Sequence, residues 1–229
     1  MRHPSRQSPI LPALALTMTM IGTSACASAQ SRAATTPTTV GGTISCAYSS
    51  TDGPAARSVG APPTRASQLG TSIASLTTNQ GAIVIKLDAA QAPCTVNSFV
   101  YLAGKKYFDS TPCHRLTTAG IFVLQCGDPT GSGGGGPGYQ FADENLKGAV
   151  YPAGTVAMAN AGPGTNGSQF FLVYKDTTLA PNYTPFGTIT GGLAVIQKIA
   201  AAGSDNSNGQ GDGKPNLPVE ITNVTVATS

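Results

Sequence analysis

Few side chains in this chain could do chemistry. Its 229 residues include two histidines, His3 and His114, five cysteines and no tryptophan. Two histidines cannot build a His-rich metal site, so no metal is expected. Cys113 precedes His114 and invites a thiol–imidazole reading. Neighbours on a strand face opposite ways, however, and cannot form such a pair locally. His114 is therefore read as a core histidine. Ser168 lacks the G-x-S-x-G elbow of an activated serine, which weakens a hydrolase reading. The four glycines at 133–136 lead into Pro137-Gly138-Tyr139, with no Lys and no helix. They read as a surface loop rather than a phosphate cradle. Arg115 remains, a permanent cation with five directed donors. Beside an apolar recess it can stabilise a shift of charge in a bound molecule, with no nucleophile and no cofactor.

Positioning such a cation requires a framework, and the composition supplies one. Lys and Arg number 13 against 10 Asp and Glu, a formal net charge of +3. Charged residues are 10% of the chain, where an average domain carries roughly 25%. The excess is small and unclustered, which excludes a nucleic-acid footprint. No apolar run reaches the length of a membrane span. Hydrophobic residues are 40%, enough for a core. Strand patterns fall at 71–78 and 82–87, joined by Asn79-Gln80-Gly81 as a hairpin. Others fall at 111–116, 121–126, 154–159, 169–174, 186–189 and 219–226. Helical spacing appears at 92–103, opened by Pro93, and at 193–202. With strands dominating and no strand–helix alternation, an antiparallel barrel or sandwich is expected.

Residues 1–26 read as an export signal. Arg2 and Arg6 precede a short apolar stretch at 10–22, and small residues follow. Cleavage after Ala27-Ser28-Ala29 gives a free secreted protein. Ser24-Ala25-Cys26 resembles a lipobox, in which Cys26 becomes a lipid anchor and the only attachment to a membrane. Both readings stay open, and both place the protein outside the cytoplasm. Residues 27–70 are rich in Ala, Thr, Ser, Pro and Gly, with few large apolar side chains, and read as a flexible tether. Residues 71–229 form the compact domain. Cys46, Cys94, Cys113 and Cys126 are an even set, suited to disulfides in an exported chain. Strand parity argues against Cys113 with Cys126, although a bulge would undo that argument, and three pairings stay open.

Residues 158–171 read M-A-N-A-G-P-G-T-N-G-S-Q-F-F, and residues 113–128 read C-H-R-L-T-T-A-G-I-F-V-L-Q-C-G-D. Residues 141–145 read F-A-D-E-N, and 186–187 read F-G. Together these resemble the cyclophilins, the barrel-fold family of peptidyl-prolyl cis–trans isomerases, over roughly residues 71–226. The exported form is similar to cyclophilins of actinobacteria. The resemblance implies a closed eight-stranded antiparallel barrel with two capping helices, acting as a monomer on proline-containing polypeptides. It implies Arg115 as the catalytic residue. Phe122, Val123 and Gln125 would line the groove, and Ala159 and Asn160 would form a backbone platform. Gln169 would be a polar anchor, Phe171 the floor of a proline pocket, Leu179 its wall, and Tyr183 would stand where many members have His. Two extra residues lie between Arg115 and Phe122, and the loop from Phe171 to Leu179 is about one residue short. Thr178 falls near a position where many members place Trp, which implies weakened affinity for cyclosporin-like ligands.

The chemistry suits these residues. An X–Pro bond rotates over a barrier of ~18–20 kcal/mol because amide resonance must be lost. A directed cation that favours the twisted state lowers that barrier, and an apolar pocket can grip the pyrrolidine ring. The alternative reading is a module of the cell envelope that holds peptides without catalysing.

Overall fold

The computed structural model describes residues 39–40, 43–67 and 72–228. The leader, its two cleavage readings and Cys26 lie outside the described residues. The strands in chain order are β1 (Thr39–Val40), β2 (Thr43–Ser45), β3 (Ser49–Ser50), β4 (Arg65–Ser67) and β5 (Ser72–Thr78). Next come β6 (Gly81–Leu87), β7 (Thr111–Pro112), β8 (Arg115–Thr117), β9 (Val123–Cys126) and β10 (Tyr139–Gln140). The last are β11 (Thr155–Met158), β12 (Phe170–Val173), β13 (Pro185–Gly191), β14 (Asp212–Gly213) and β15 (Glu220–Thr228). Helix α1 spans Pro93–Gly104 and α2 spans Leu193–Ala201. The protein is mainly β with two helices.

Ten strands form one antiparallel sheet in the order β14-β8-β9-β12-β11-β13-β6-β5-β15-β7. Ten strands are thus assigned to this sheet, where eight were expected. The run foreseen over 111–116 is two strands near opposite borders, β7 beside β15 and β8 beside β9. Only Cys113 and His114 link them, so the chain draws the two borders together and the sheet curls. The short β14 comes from a turn-rich stretch that carries no strand pattern of its own.

Local sequence explains the main elements. In β5, burial alternates along Ser72–Thr78, as a strand facing a core on one side requires. Helix α1 begins with Pro93 at its first position, where the missing N–H costs nothing. Ala92 offers it no side-chain cap. The buried Glu144 carboxylate substitutes, accepting from the Cys94 N–H at 3.1 Å, the Thr95 N–H at 2.7 Å and the Thr95 hydroxyl at 2.7 Å. Phe99 of α1 then packs against Phe108, Phe170 and Phe186, with ring centroids 5.1, 5.6 and 5.5 Å away. Burying each such ring contributes roughly 2–3 kcal/mol.

The expectation of a flexible tether fails for residues 43–67. β2 pairs with β4, and β3 pairs with β10. Ile44, Cys46 and Ala66 are buried against Cys94, with Tyr48 packed beside them. A disulfide joins Cys46 to Cys94, 48 positions apart. The expectation counted large apolar side chains and so missed how little burial a cross-linked segment needs. A second disulfide joins Cys113 to Cys126. The parity objection fails because Cys113 lies in the link between β7 and β8, not in a strand with Arg115.

Replacing Cys46 and Cys94 together by Ala is expected to lower the unfolding free energy by about 2–4 kcal/mol, because a long loop is released in the unfolded chain. Denaturant titration measures this, and an unchanged midpoint would show that the cross-link holds nothing down.

Candidate active site

The candidate site is built by register on the outer face of four neighbouring strands. Arg115 of β8 stands opposite Gln125 of β9, Gln125 opposite Phe171 of β12, and Phe171 opposite Ala157 of β11. Directly opposed residues share a face. At ~4.8 Å per strand, Arg115 stands ~10 Å from Phe171 along this row. Val123 and Val173 form the adjacent pair on the same face. Alternate residues Leu124, Cys126, Phe170 and Leu172 point the other way into the main core. Both faces of β12 are thus covered, which accounts for its unbroken apolar run Phe170–Val173.

Arg115 is gripped from two sides. Its Nε donates to Asp212 Oδ1 at 2.8 Å and Nη2 donates to Oδ2 at 2.6 Å, a fork of two parallel charge-assisted bonds. Nη1 donates to Gln125 Oε1 at 3.3 Å. The pair remains partly open to solvent, the two side chains 35% and 25% exposed. Asp212 raises the Arg115 pKa above its ordinary value, and Arg115 in turn holds the Asp212 carboxyl below the usual carboxylate range. Asp212 lies 97 positions from Arg115 and was missed by sequence reasoning. An acid among Gly, Asn and Ser reads as a turn, and nothing local points to a distant arginine.

The polar line continues past Gln125. Its Nε2 donates to Gln169 Oε1 at 2.8 Å, and Gln169 Nε2 donates to the carbonyls of Gly133 and Gly135 at 2.8 and 2.9 Å. The glycine loop lies at the surface, as expected, and these bonds tie it to the polar line. Buried Asp128 organises it, accepting from the Thr130 hydroxyl and from the backbone N–H of Thr130, Gly133 and Gly135. Burial pushes the Asp128 carboxyl up, but these donors outweigh it and hold the group below its usual range. A Cβ at Gly135 would fall 2.0 Å from Asp128 Oδ1, so only glycine closes this turn.

On the same face as the cation lies an apolar cluster. Val123, Tyr151, Ala157, Phe171 and Val173 are buried together, with Ala159, Leu179 and Tyr183 packed against them. The Tyr183 ring meets Phe171 edge-on at 5.6 Å. Tyr151, also missed, holds Tyr183 through its hydroxyl, donating to the Tyr183 carbonyl at 2.8 Å and accepting its N–H at 3.1 Å. Phe122 does not join this cluster. It precedes Val123 and turns to the opposite face, against Tyr174, with the Lys175 ammonium 4.3 Å above its ring. Its assignment to the groove is corrected by strand alternation. Thr178 is exposed, next to Leu179.

A groove of about 480 Å³ runs on from the polar line. Gln125, Gln169, Ala159 and Asn160 line it, as do the glycine loop and Thr51, Gly53 and Pro54. The Asn160 side chain is engaged elsewhere, donating to the Asn182 carbonyl at 2.8 Å and accepting from Gly162 N–H at 3.2 Å. Rival nucleophiles are not set up for attack. Ser168 is buried and donates to the Gly127 carbonyl at 2.7 Å, and Cys113 is in a disulfide. Burial lowers the His114 pKa, so its imidazole is neutral near pH 7. No cluster of metal-ligating side chains occurs among the described residues.

Fold and site together define an antiparallel β protein with one oriented cation, an apolar cluster on the same face and a groove running on from the polar line. Residues 73–226 match the family model of the cyclophilin type peptidyl-prolyl cis-trans isomerase/CLD, and the chain belongs to that family. A probable peptidyl-prolyl cis-trans isomerase B of Mycobacterium tuberculosis is 53% identical over 164 residues, covering 66% of this chain and 53% of that protein. Its counterpart in Mycobacterium leprae is 49% identical over 196 residues, covering 78% and 65%. The chain thus spans between half and two thirds of the length of these relatives. A peptidyl-prolyl cis-trans isomerase B of Streptomyces anulatus is 45% identical over 148 residues, covering 56% and 83%. The crystal structure of a Cryptosporidium parvum cyclophilin type isomerase superposes with a TM-score of 0.61 at 29% identity, covering 70% of this chain and 99% of that one. The same isomerase was also solved in the presence of the dipeptide Ala-Pro.

The Asp212 carboxyl, followed by side-chain carbon NMR, is expected to titrate below the ordinary ~3.9, and to move up toward it in Arg115→Ala. A depressed carboxylate stabilises the fold above its unfolded pKa and loses that contribution as pH falls through its folded pKa. The partial exposure of this pair keeps its contribution below about 1 kcal/mol. An unshifted midpoint in the variant would separate Asp212 from Arg115 in solution.

Proposed function

We propose that this chain catalyses cis–trans isomerisation of X–Pro bonds in proline-containing polypeptides, with Arg115 as the catalytic residue. The observation that carries the reading is the row from Arg115 through Gln125 to Phe171. It sets a fixed cation on the same face as an apolar cluster that could pack against a pyrrolidine ring. The ring would seat among Val123, Phe171, Leu179 and Tyr183. The backbone at Ala159 and Asn160 would hold the flanking peptide as an added strand does. With Nε and Nη2 committed to Asp212, the Nη1 edge is the one turned toward Gln125 and the groove. From there it would stabilise the nitrogen or carbonyl of the twisting amide. No step calls for a cofactor.

The finer architectural reading belongs with this proposal. Taken as one bent strand, β7 and β8 complete an eight-stranded closed barrel, with β14 as an addition at its rim. Residues 1–26 would act as an export signal, with either Cys26 lipidated or cleavage before Gln30. The two disulfides are compatible with an oxidising compartment. Among the described residues no helix is long and apolar enough to cross a membrane. The protein would act as a monomer on other exported chains. The exposed Thr178 beside Leu179 offers little ring surface, in line with weak binding of cyclosporin-like ligands.

Arg115→Ala is expected to lower kcat/KM about 100-fold in a protease-coupled or NMR exchange assay on a proline peptide, while the far-ultraviolet spectrum stays unchanged. Asp212→Ala is expected to lower kcat about tenfold with KM nearly constant, because it frees the guanidinium rather than removing it. Full activity in Arg115→Ala would refute the catalytic assignment. Peptide binding by the unaltered protein without cis–trans exchange would favour a holding module.

A further inference from the structure

The chain contains two Asn-Gly pairs, Asn166-Gly167 and Asn208-Gly209. An asparagine followed by glycine is open to attack on its own side-chain amide, because glycine carries no Cβ to shield its backbone nitrogen. The surroundings decide whether that attack occurs. Asn166 is fully buried, and its Nδ2 donates to the Phe141 carbonyl at 3.2 Å and to Asp143 Oδ1 at 2.8 Å. The site is also crowded, since a Cβ at Gly167 would fall 3.2 Å from Pro137 Cδ. Asn208 and Gly209 are both exposed, in the turn-rich stretch before β14. A Cβ at Gly209 would meet nothing within 4 Å, so the space around its nitrogen is open. The Gly209 N–H donates to the Asn206 carbonyl at 3.0 Å, a surface bond that local opening breaks at little cost. This turn also touches the candidate site. Asn208 Nδ2 donates to Asp212 Oδ1 at 3.2 Å, and the same oxygen accepts from Arg115 Nε at 2.8 Å. The amide and the guanidinium thus share one carboxylate oxygen.

We infer that Asn208 is a site of spontaneous deamidation that acts on Arg115 through Asp212. The effect on activity rests on the isomerase reading above, and the modification itself does not. The Gly209 nitrogen gives up its proton and attacks Asn208 Cγ. The N–Cγ bond forms, the Cγ–Nδ2 bond breaks, and ammonia leaves with that proton, closing a succinimide ring. Water then adds to either ring carbonyl and breaks its bond to nitrogen, leaving aspartate or isoaspartate at position 208. An amide and a water become a carboxylate and an ammonium ion, with nothing oxidised or reduced. Both products change the grip on the cation. The group that donated to Asp212 becomes a second carboxylate facing it, and like charges this close repel. Isoaspartate also lengthens the backbone of the turn by a methylene just before β14, where Asp212 and Gly213 pair with Thr117 and Leu116 of β8. Asn208 is therefore a positioning residue, one bond removed from the guanidinium.

The experiment incubates the full chain at mildly alkaline pH and follows the exchange of NH2 for OH at each asparagine by peptide mass spectrometry. Asn208 is expected to convert at least about tenfold faster than Asn166, because a buried residue must wait for local unfolding. In step with conversion, kcat on a proline peptide is expected to fall about threefold with KM nearly constant, the scale of a partly exposed ion pair. The Asp212 carboxyl, followed by carbon NMR, is expected to titrate higher, toward its ordinary value. Asn208→Asp, freshly prepared, is expected to reproduce both changes. Asn208→Gln, which would need a larger ring to react, is expected to hold its own starting kcat throughout the incubation. An unchanged far-ultraviolet spectrum would show that the fold is intact. Conversion of Asn208 no faster than that of Asn166 would overturn the inference. So would a converted chain and an Asn208→Asp variant that both keep the kcat and the Asp212 titration of the fresh chain. Absence of cis–trans exchange in the fresh, unaltered chain would instead overturn the isomerase reading, and the mass spectrum and the Asp212 titration would still decide the modification and its reach.

Discussion

The role proposed for Arg115 calls for a guanidinium held in one orientation, and the rest of the site is built around that restraint. Arg115 is a long side chain at a partly open surface, where its rotamers would otherwise be free. The fork from Asp212 fixes the plane of the group, and Gln125 fixes its remaining edge. The cation is then a preorganised dipole partner and not a tethered ion, and preorganisation gives such groups their effect in catalysis.

The rest of the site extends that restraint outward. Gln125 is oriented by Gln169, Gln169 by two glycine-loop carbonyls, and the loop by Asp128. The ends of this line carry opposite duties. Asp212 pairs with the cation while leaving its Nη1 edge to Gln125, and Asp128 turns the glycine-rich sequence into an ordered acceptor. Glycine is needed there because a carboxylate occupies the space that a side chain at 135 would take. On the apolar side, Tyr151 plays the equivalent part, holding Tyr183 by both of its backbone groups.

The segment at residues 43–67 adds a layer from outside the family-matched region, which begins at residue 73. Its few buried side chains could not hold it alone. Cross-linking to α1 reduces the entropy it must lose on ordering, and pairing with β10 satisfies its backbone. A segment of such plain composition can thereby come to line a groove.

Strand positions were legible from alternation, and both helices from their spacing. β5, β6, α1 and α2 fall within a residue or two of where the pattern places them. Arg115, Gln125, Gln169 and Phe171 were legible as a group through the resemblance of their surrounding motifs, and the register brings them to one row. Phe122 was misassigned because a motif carries residue types without the face each one takes. Asp212, Tyr151 and the ordered segment at 43–67 were not legible. Each acts through a partner far along the chain, and single-residue patterns contain no information on such pairs. The sequence by itself determined which residue types were available and the periodicity that turns them into strands and helices, since those are short-range effects of sterics and burial. Tertiary structure alone decided which acid meets the arginine, which cysteines join and what lines the groove, because these follow from how the curled sheet brings distant segments to one face.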